Sequence, residues 1–307
     1  MTGRLHPHLL LTRTLTARLA ANGFPVLGIP VRSDEGKRIR GAVRAPKGSV
    51  IYEADYSQIE LRTAAELSRD PELVSAYVRG EDIHAKTAAY VFGAPADKKL
   101  QDPYKHRLPA KTGNFSMLMG TTPSGLTTSV HKDGNLDWSK DCPGCKNWRA
   151  AHVNCDSEKF MTEWFALYTG VRAFMDDRRA HALKTGQAYG MWGMTWALPG
   201  AFSPHEEVRE ATLRQSHALP VSEGAQRLIK LAMAKIAKED LPWARKQNVR
   251  VYPLLQIHDS LLFQVEKTFV VEWHHRIKRT MEGIARWAVP IVAEGKAGPS
   301  WLETESL

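Results

Sequence analysis

Apolar positions along this chain follow two periods. Short runs rich in Val, Ile, Leu, Tyr and Phe predict strands at 49–55, 249–257, 261–265 and 289–294. Longer stretches of helical period predict helices near 57–68, 71–92, 109–119, 157–184, 222–240 and 267–286. Within 157–184, Phe160, Trp164, Tyr168 and Val171 recur at helical spacing and read as core packing rather than as a platform for stacked bases. The pattern predicts an α+β chain, without internal repeats or low-complexity tracts.

Three segments carry candidate chemistry. In the first, the run Val50-Ile51-Tyr52 leads into Asp55-Tyr-Ser-Gln-Ile-Glu-Leu-Arg62. A carboxylate at a strand end is held rigidly yet open to substrate, which suits a metal ligand; the same position also suits a plain turn or cap residue. In the second, Arg107, Lys111, Phe115 and Met119 recur every four residues, with Pro109 marking a helix start. Two cations near a helix N-terminus make a phosphate clamp, aided by free N–H groups and the helix dipole. The alternative there is a solvated basic helix with one buried face. In the third, His258-Asp259-Ser260 lies between two β-rich runs and predicts strand, tight turn, strand. His and Asp are ordinary turn residues, but the tip is again a rigid place for a carboxylate.

These segments, in this order, resemble the motifs of family A DNA polymerases, the bacterial DNA polymerase I type. The resemblance extends to Thr16-Ala-Arg18-Leu19, to Gly28-Ile-Pro-Val-Arg32 with Glu35 to Arg40, and to Glu81-Asp-Ile-His84 with Ala88 to Gly93. It continues in Val289 to Glu294 and Ser300-Trp301, and so covers nearly the whole chain. It implies a palm (an antiparallel sheet packed with helices) from 1–70 and 216–307, mostly helical fingers from 71–215, and an insertion at about 130–156. It further implies that Asp55 and Asp259, with the Tyr56 carbonyl, hold two Mg²⁺ ions for nucleotidyl transfer. Arg107, Lys111 and His84 would grip the triphosphate of a deoxyribonucleotide. Phe115 would pack on its sugar and Glu60 would exclude a 2′-hydroxyl, with Ser57, Gln58 and Met119 also in the nucleotide site. Arg18, Arg32, Ser222 and His258 would contact primer–template DNA.

The sequence departs from the family pattern at several points. Ser260 stands where Glu is usual, as in single-subunit RNA polymerases, although Glu60 favours deoxyribonucleotides. Met119 replaces a Tyr. Ala218-Leu-Pro220-Val-Ser222-Glu223-Gly224 replaces Asn-x-Pro-x-Gln-Gly, so the duplex-contacting Gln is lost. The chain opens where the family's thumb would end, which implies either one half of a split polymerase, completed by a separately encoded thumb or exonuclease protein, or a minimal enzyme. The compact core fits a phage-like replication protein. A catalytically weak nucleic-acid-binding remnant and an RNA-synthesising enzyme are the competing readings.

Composition sharpens this only a little. A formal charge of +9 suits a polyanionic partner. Leu9-Leu10-Leu11 is too brief for a signal peptide, and no apolar run is long enough to span a membrane. All three cysteines fall in Cys142-x2-Cys145-x6-His152-x2-Cys155. Three thiolates and an imidazole suit structural Zn²⁺, with Pro143-Gly144 as the tight turn; the alternative is a set of free thiols on a loop. The lack of other cysteines fits a reducing cytoplasm.

Overall fold

The computed structural model describes residues 5–31, 33–132 and 155–307. In chain order the elements are β1 (His8–Leu10), β2 (Ala20–Asn22), α1 (Asp34–Ala42), β3 (Ser49–Tyr56), α2 (Ile59–Ser68), α3 (Pro71–Val78), α4 (Ile83–Phe92), α5 (Leu108–Leu118), α6 (Pro123–Lys132), α7 (Cys155–Leu167) and α8 (Thr169–Thr185). They continue with β4 (Gln187–Tyr189), β5 (Thr195–Ala197), α9 (Glu206–Lys235), α10 (Leu241–Lys246), β6 (Val251–Ile257), β7 (Ser260–Glu266), α11 (Val270–Glu282), β8 (Ala293–Gly298) and β9 (Glu305–Ser306). None of the described helices is long and apolar enough to cross a membrane. The chain divides into two compact units. Unit 1 comprises the described residues of Met1–Ile59, Ser222–Trp287 and Ile291–Leu307; unit 2 comprises those of Glu60–Val221 and Ala288–Pro290.

Unit 1 is built on a five-stranded antiparallel sheet in the order β6-β7-β3-β8-β9. Because strand side chains alternate between faces, the register decides what meets what. On one face lie Tyr52 opposite Phe263 and Ala54 opposite Leu261. Helix α11 covers it, with Trp273 edge-on to Phe263 and the Tyr56 hydroxyl donating to the Met281 carbonyl at 2.9 Å. Gly295 belongs to this face: a Cβ there would lie 2.2 Å from His274 Nδ1, so only glycine admits the buried Tyr52–His274 hydrogen bond of 3.1 Å. The other face carries Ile51, which joins a core of Val26, Ile29, Ile257, Leu262 and Trp301. Glu53 and Asp55 point the same way as Ile51 by the same alternation.

Unit 2 is mainly helical. Phe160, Trp164, Tyr168 and Val171 are all buried, as core packing requires. Gly113 on α5 lets Phe160 approach, since a Cβ would lie 2.2 Å from its Cζ. Asp70 caps α3 through Leu73 N and also accepts from Gly170 N at 2.7 Å, tying the start of α8 to the α2–α3 junction. A second core gathers Ala182, Ala188, Trp196, Leu198, Ala201, Leu213 and Leu219 around the β4–β5 hairpin.

Several boundaries differ from the sequence pattern. The strand expected at 289–294 is β8 at Ala293–Gly298. Pro290 has no N–H to give a ladder, so Val289 and Ile291 are buried without pairing and the strand begins later. The stretch 71–92 breaks into α3 and α4 at Gly80, whose φ is 71°. The stretch 157–184 breaks at Tyr168. Helix α9 begins sixteen residues earlier than expected, at Glu206, and runs through Pro220. There the burial of both flanking apolar residues, Leu219 and Val221, outweighs the lost backbone bond.

Candidate active site

Asp55 stands near the end of β3, opposite Ser260 of β7 and Glu294 of β8. The β6–β7 connection is a two-residue turn, because Ile257 pairs with Ser260. Asp259 is its second residue, and its carbonyl accepts from Tyr56 N at 3.2 Å. The sheet thus brings the two aspartates, far apart in sequence, to one edge of unit 1. Burial pushes the Asp55 carboxyl up to about 7, and the negative charges of Asp259, Glu53 and Glu294 push the same way against the pull of Lys296. Both loops carry non-glycine residues in the left-handed region, Gln58 at φ 52° and His258 at φ 55°. Among the described residues no cluster of three or more His, Cys, Asp and Glu side chains could hold a metal. Two carboxylates and a backbone carbonyl nevertheless fit Mg²⁺, which keeps several waters and takes the rest of its shell from substrate phosphates. A divalent cation would also relieve the repulsion that raises Asp55.

Ser260, placed where Glu was expected, is buried. Its hydroxyl donates to the Ile257 carbonyl at 3.1 Å, so it closes the turn. Tyr56 has its ring buried on the α11 face, which leaves only its backbone for a ligand role. Ser57 N donates to Val292 O at 2.9 Å. His258 is exposed at the turn, Arg18 is half-buried in unit 1, and Ser222 is buried on α9. Arg32 lies outside the described residues, as do Cys142, Cys145, His152 and the side chain of Cys155.

In unit 2, Lys111 is exposed on α5, Phe115 is half-buried farther along it, and Met119 is half-buried at its C-cap. Phe115, Met119, Gly120, Thr121, Thr122 and Arg214 line an open cavity of about 440 Å³. The free N–H groups expected at the start of α5 are absent. A turn of π-helix over Pro103–Arg107 runs directly into it, and Arg107 itself has helical φ and ψ. The helical end therefore lies a turn earlier, and Arg107 must act through its side chain. That guanidinium donates to Asp82 Oδ2 from Nε at 3.0 Å and from Nη2 at 2.9 Å, and Lys98 reaches the same oxygen at 2.8 Å. Asp82 is also the N-cap of α4, accepting from His84 N and Ala85 N. Despite burial, these partners hold its carboxyl far below the usual range.

His84 is buried, and burial lowers its pKa to about 4, so it is neutral at pH 7. Its tautomer follows from its neighbours. Trp164 Nε1 and Thr87 Oγ1 both donate to Asn114 Oδ1, at 2.7 and 3.1 Å, which turns Asn114 Nδ2 toward His84 Nδ1 at 2.9 Å. Nδ1 therefore accepts and Nε2 carries the proton. Any phosphate contact His84 makes is that of a neutral donor. Glu60 sits in the first turn of α2. Sequence reading gave no role to Asp82, Asn114 or two glutamines beside the β6–β7 turn. For Asp82 a signal existed, since an Asp directly before an apolar helical run is an N-cap signature.

The family model for DNA polymerase family A matches residues 1–303. The chain belongs to the family A DNA polymerases. It is 31% identical over 302 residues to DNA polymerase I of Pseudomonas aeruginosa, covering 98% of this chain and 30% of that protein. It is 33% identical over 304 residues to the thermostable DNA polymerase I of Thermus filiformis, covering 99% of this chain and 33% of that one. Among solved structures it is similar to the POL domain of Pol1 from M. smegmatis in complex with DNA primer-template and dNTP. The TM-score is 0.81 at 28% identity, covering 98% of this chain and 48% of that one. The chain thus spans about a third of the length of the curated relatives it matches.

Proposed function

We propose that this chain is the catalytic portion of a DNA-directed DNA polymerase, adding deoxyribonucleotides to a primer 3′-hydroxyl. The observation that carries the reading is the meeting of Asp55 and Asp259 at one end of the paired strands β3 and β7, with Asp55 raised by burial and then by its neighbour, in a chain of this family. Unit 1 would then be the palm and unit 2 the fingers. Asp55, Asp259 and the Tyr56 carbonyl would hold two Mg²⁺ ions. Bound there, Mg²⁺ would favour deprotonation of the 3′-hydroxyl and neutralise the leaving pyrophosphate. Arg107 and Lys111 would bind the triphosphate as cations and His84 as a neutral donor. Phe115 would pack on the sugar, Glu60 would disfavour a 2′-hydroxyl, and Ser57, Gln58 and Met119 would complete the nucleotide site. Arg18, Arg32, Ser222 and His258 would contact DNA.

Primer extension with Mg²⁺ tests this, with deoxyribonucleotides beside ribonucleotides and an Asp259→Ala control. Extension confined to deoxyribonucleotides and lost in the control is the expected result. Extension that persists in Asp259→Ala, or that prefers ribonucleotides, defeats the reading. A separately encoded thumb-bearing protein belongs in a second arm, because a split enzyme would extend only with both parts present. We also propose a structural Zn²⁺ on Cys142, Cys145, His152 and Cys155. Elemental analysis should give one zinc per chain, and far less than that removes the proposal.

A further inference from the structure

Three carbonyls of the β6–β7 turn have named partners. Ile257 O takes the Ser260 hydroxyl and Asp259 O takes Tyr56 N. His258 O, between them, takes two side-chain amides: Gln226 Nε2 from α9 at 3.1 Å and Gln256 Nε2 from β6 at 2.5 Å. Both glutamines are buried, at 2% and 3% exposure. The Oε1 atom of each has no protein partner among the described residues. A buried amide oxygen without a partner is destabilising, because it gives up its hydrogen bonds to water and gains none. Leucine or methionine would fill either place without that cost, so packing does not account for two glutamines here.

What the amides do is local. The His258 carbonyl belongs to the peptide plane that leads into Asp259 N. His258 has φ 55°, a left-handed backbone that a β-substituted residue holds only with support, and the peptide plane that follows it can still rotate about the His258 Cα–C bond unless its carbonyl is held. Rotation would swing the Asp259 Cα–Cβ bond and with it the carboxylate. Two donors converging on one carbonyl oxygen oppose the rotation.

We propose that Gln226 and Gln256 form a clamp that positions the Asp259 carboxylate for a divalent cation. Gln226 reaches in from outside the hairpin and acts as a positioning residue, touching neither substrate nor metal. The proposal rests on the reading of Asp259 as a metal ligand, and the test separates the two. Mn²⁺ binding to the intact chain is measured by electron paramagnetic resonance for the wild type, Asp259→Ala, Gln226→Met and Gln256→Met. Urea midpoints and the Mg²⁺ dependence of primer extension are measured alongside.

Wild-type Mn²⁺ binding should be lost in Asp259→Ala. Gln226→Met should weaken it roughly tenfold and raise the half-saturating Mg²⁺ concentration by a similar factor. Its urea midpoint should stay unchanged or rise, and the KM for deoxyribonucleotide at saturating Mg²⁺ should stay within twofold. A purely structural role would instead lower the midpoint and leave the Mg²⁺ requirement of the folded enzyme unmoved. Should Gln226→Met not fold, Gln256→Met carries the same expectation. Mn²⁺ affinity within twofold of wild type in a folded Gln variant overturns the clamp. Undiminished binding in Asp259→Ala overturns the metal reading, and the clamp falls with it.

Discussion

If Asp55 exists to hold a cation, removing its charge should make the metal-free protein more stable. The folded chain raises this carboxyl from an ordinary value of 3.8 to about 7, first by burial and then by the charges of Asp259 and Glu53. The protonated form is thus favoured by folding. Below pH 4 the group costs nothing. Between pH 4 and 7 the unfolded chain ionises while the folded one does not, and stability falls. Above pH 7 the full cost persists. A shift of this size corresponds to roughly 4 kcal/mol at about 1.4 kcal/mol per pH unit, and partial solvent access brings the expectation to on the order of 2–3 kcal/mol.

The perturbation is Asp55→Asn, which keeps shape and removes charge. Urea unfolding in EDTA, followed by tryptophan fluorescence, should show the variant more stable than wild type at pH 8. The gap should shrink toward zero at pH 4. Adding Mg²⁺ or Mn²⁺ should narrow the gap at pH 8, because the cation stabilises only the ionised wild-type pair. The variant should at the same time fail to extend a primer. A variant no more stable than wild type at pH 8 in EDTA, or a gap as large at pH 4 as at pH 8, would refute the reasoning.

Three other perturbations test separate parts of the molecule. Asp82→Asn keeps the α4 cap, since Asn caps as well as Asp, but releases Arg107 and Lys98. If the triphosphate must take Arg107 from Asp82, the KM for deoxyribonucleotide should fall by about 3- to 10-fold, roughly 1 kcal/mol; steady-state kinetics showing a raised KM would count against that competition. Met119→Tyr puts an aromatic ring on the wall of the cavity beside Phe115 and should lower misinsertion several-fold in a single-nucleotide extension assay. Gly295→Ala drives a Cβ into His274 and should cost on the order of 2–4 kcal/mol. Adding His274→Ala should recover part of that loss, as a double-mutant cycle would show.

What the sequence made legible was whatever a local period or a turn signature can encode. Strand β3, the β6–β7 hairpin and the Arg107–Lys111–Phe115–Met119 stripe each announce themselves within a dozen residues. The pairing of Asp55 with Asp259 does not, because only the sheet register joins them; the family resemblance supplied it. Strand β8 was misplaced because Ala293-Glu-Gly-Lys-Ala-Gly298 has little β-propensity of its own and is held by its partner β3. The Asp82–Arg107 pair was hidden differently. Both residues were noticed, Asp82 within a fingers-like motif and Arg107 as a cation, but nothing local says that one neutralises the other. Gln226 and Gln256 gave no signal, since a glutamine in a helix or strand is ordinarily a surface residue.

Several unfavourable features of unit 1 meet beside Asp55 and Asp259. Among the described non-glycine residues with positive φ, Ala17 lies before β2 in unit 1, while Arg69 of unit 2 and Asn248 of unit 1 sit at helix ends, where the left-handed conformation is a usual way to stop. Gln58 and His258 have no such excuse, and each lies within three residues of one of the two aspartates. The Asp55 carboxyl, raised by burial and by its charged neighbours, is there, and so are the buried amide oxygens of Gln226 and Gln256. The face of the sheet under α11 is mostly apolar, though Trp273 Nε1 there also lacks a protein partner among the described residues. Tyr52, Tyr56, Trp273 and Met281 are buried, and the polar atoms of both tyrosines are hydrogen-bonded. A fold selected for stability alone would have no reason to place a strained turn, charge repulsion and two buried amide oxygens together at the strand ends that carry Asp55 and Asp259. A divalent cation bound there would offset the repulsion directly. It would give the strained turn and its glutamines a purpose as well, because a ligand oxygen misplaced by an ångström binds Mg²⁺ poorly.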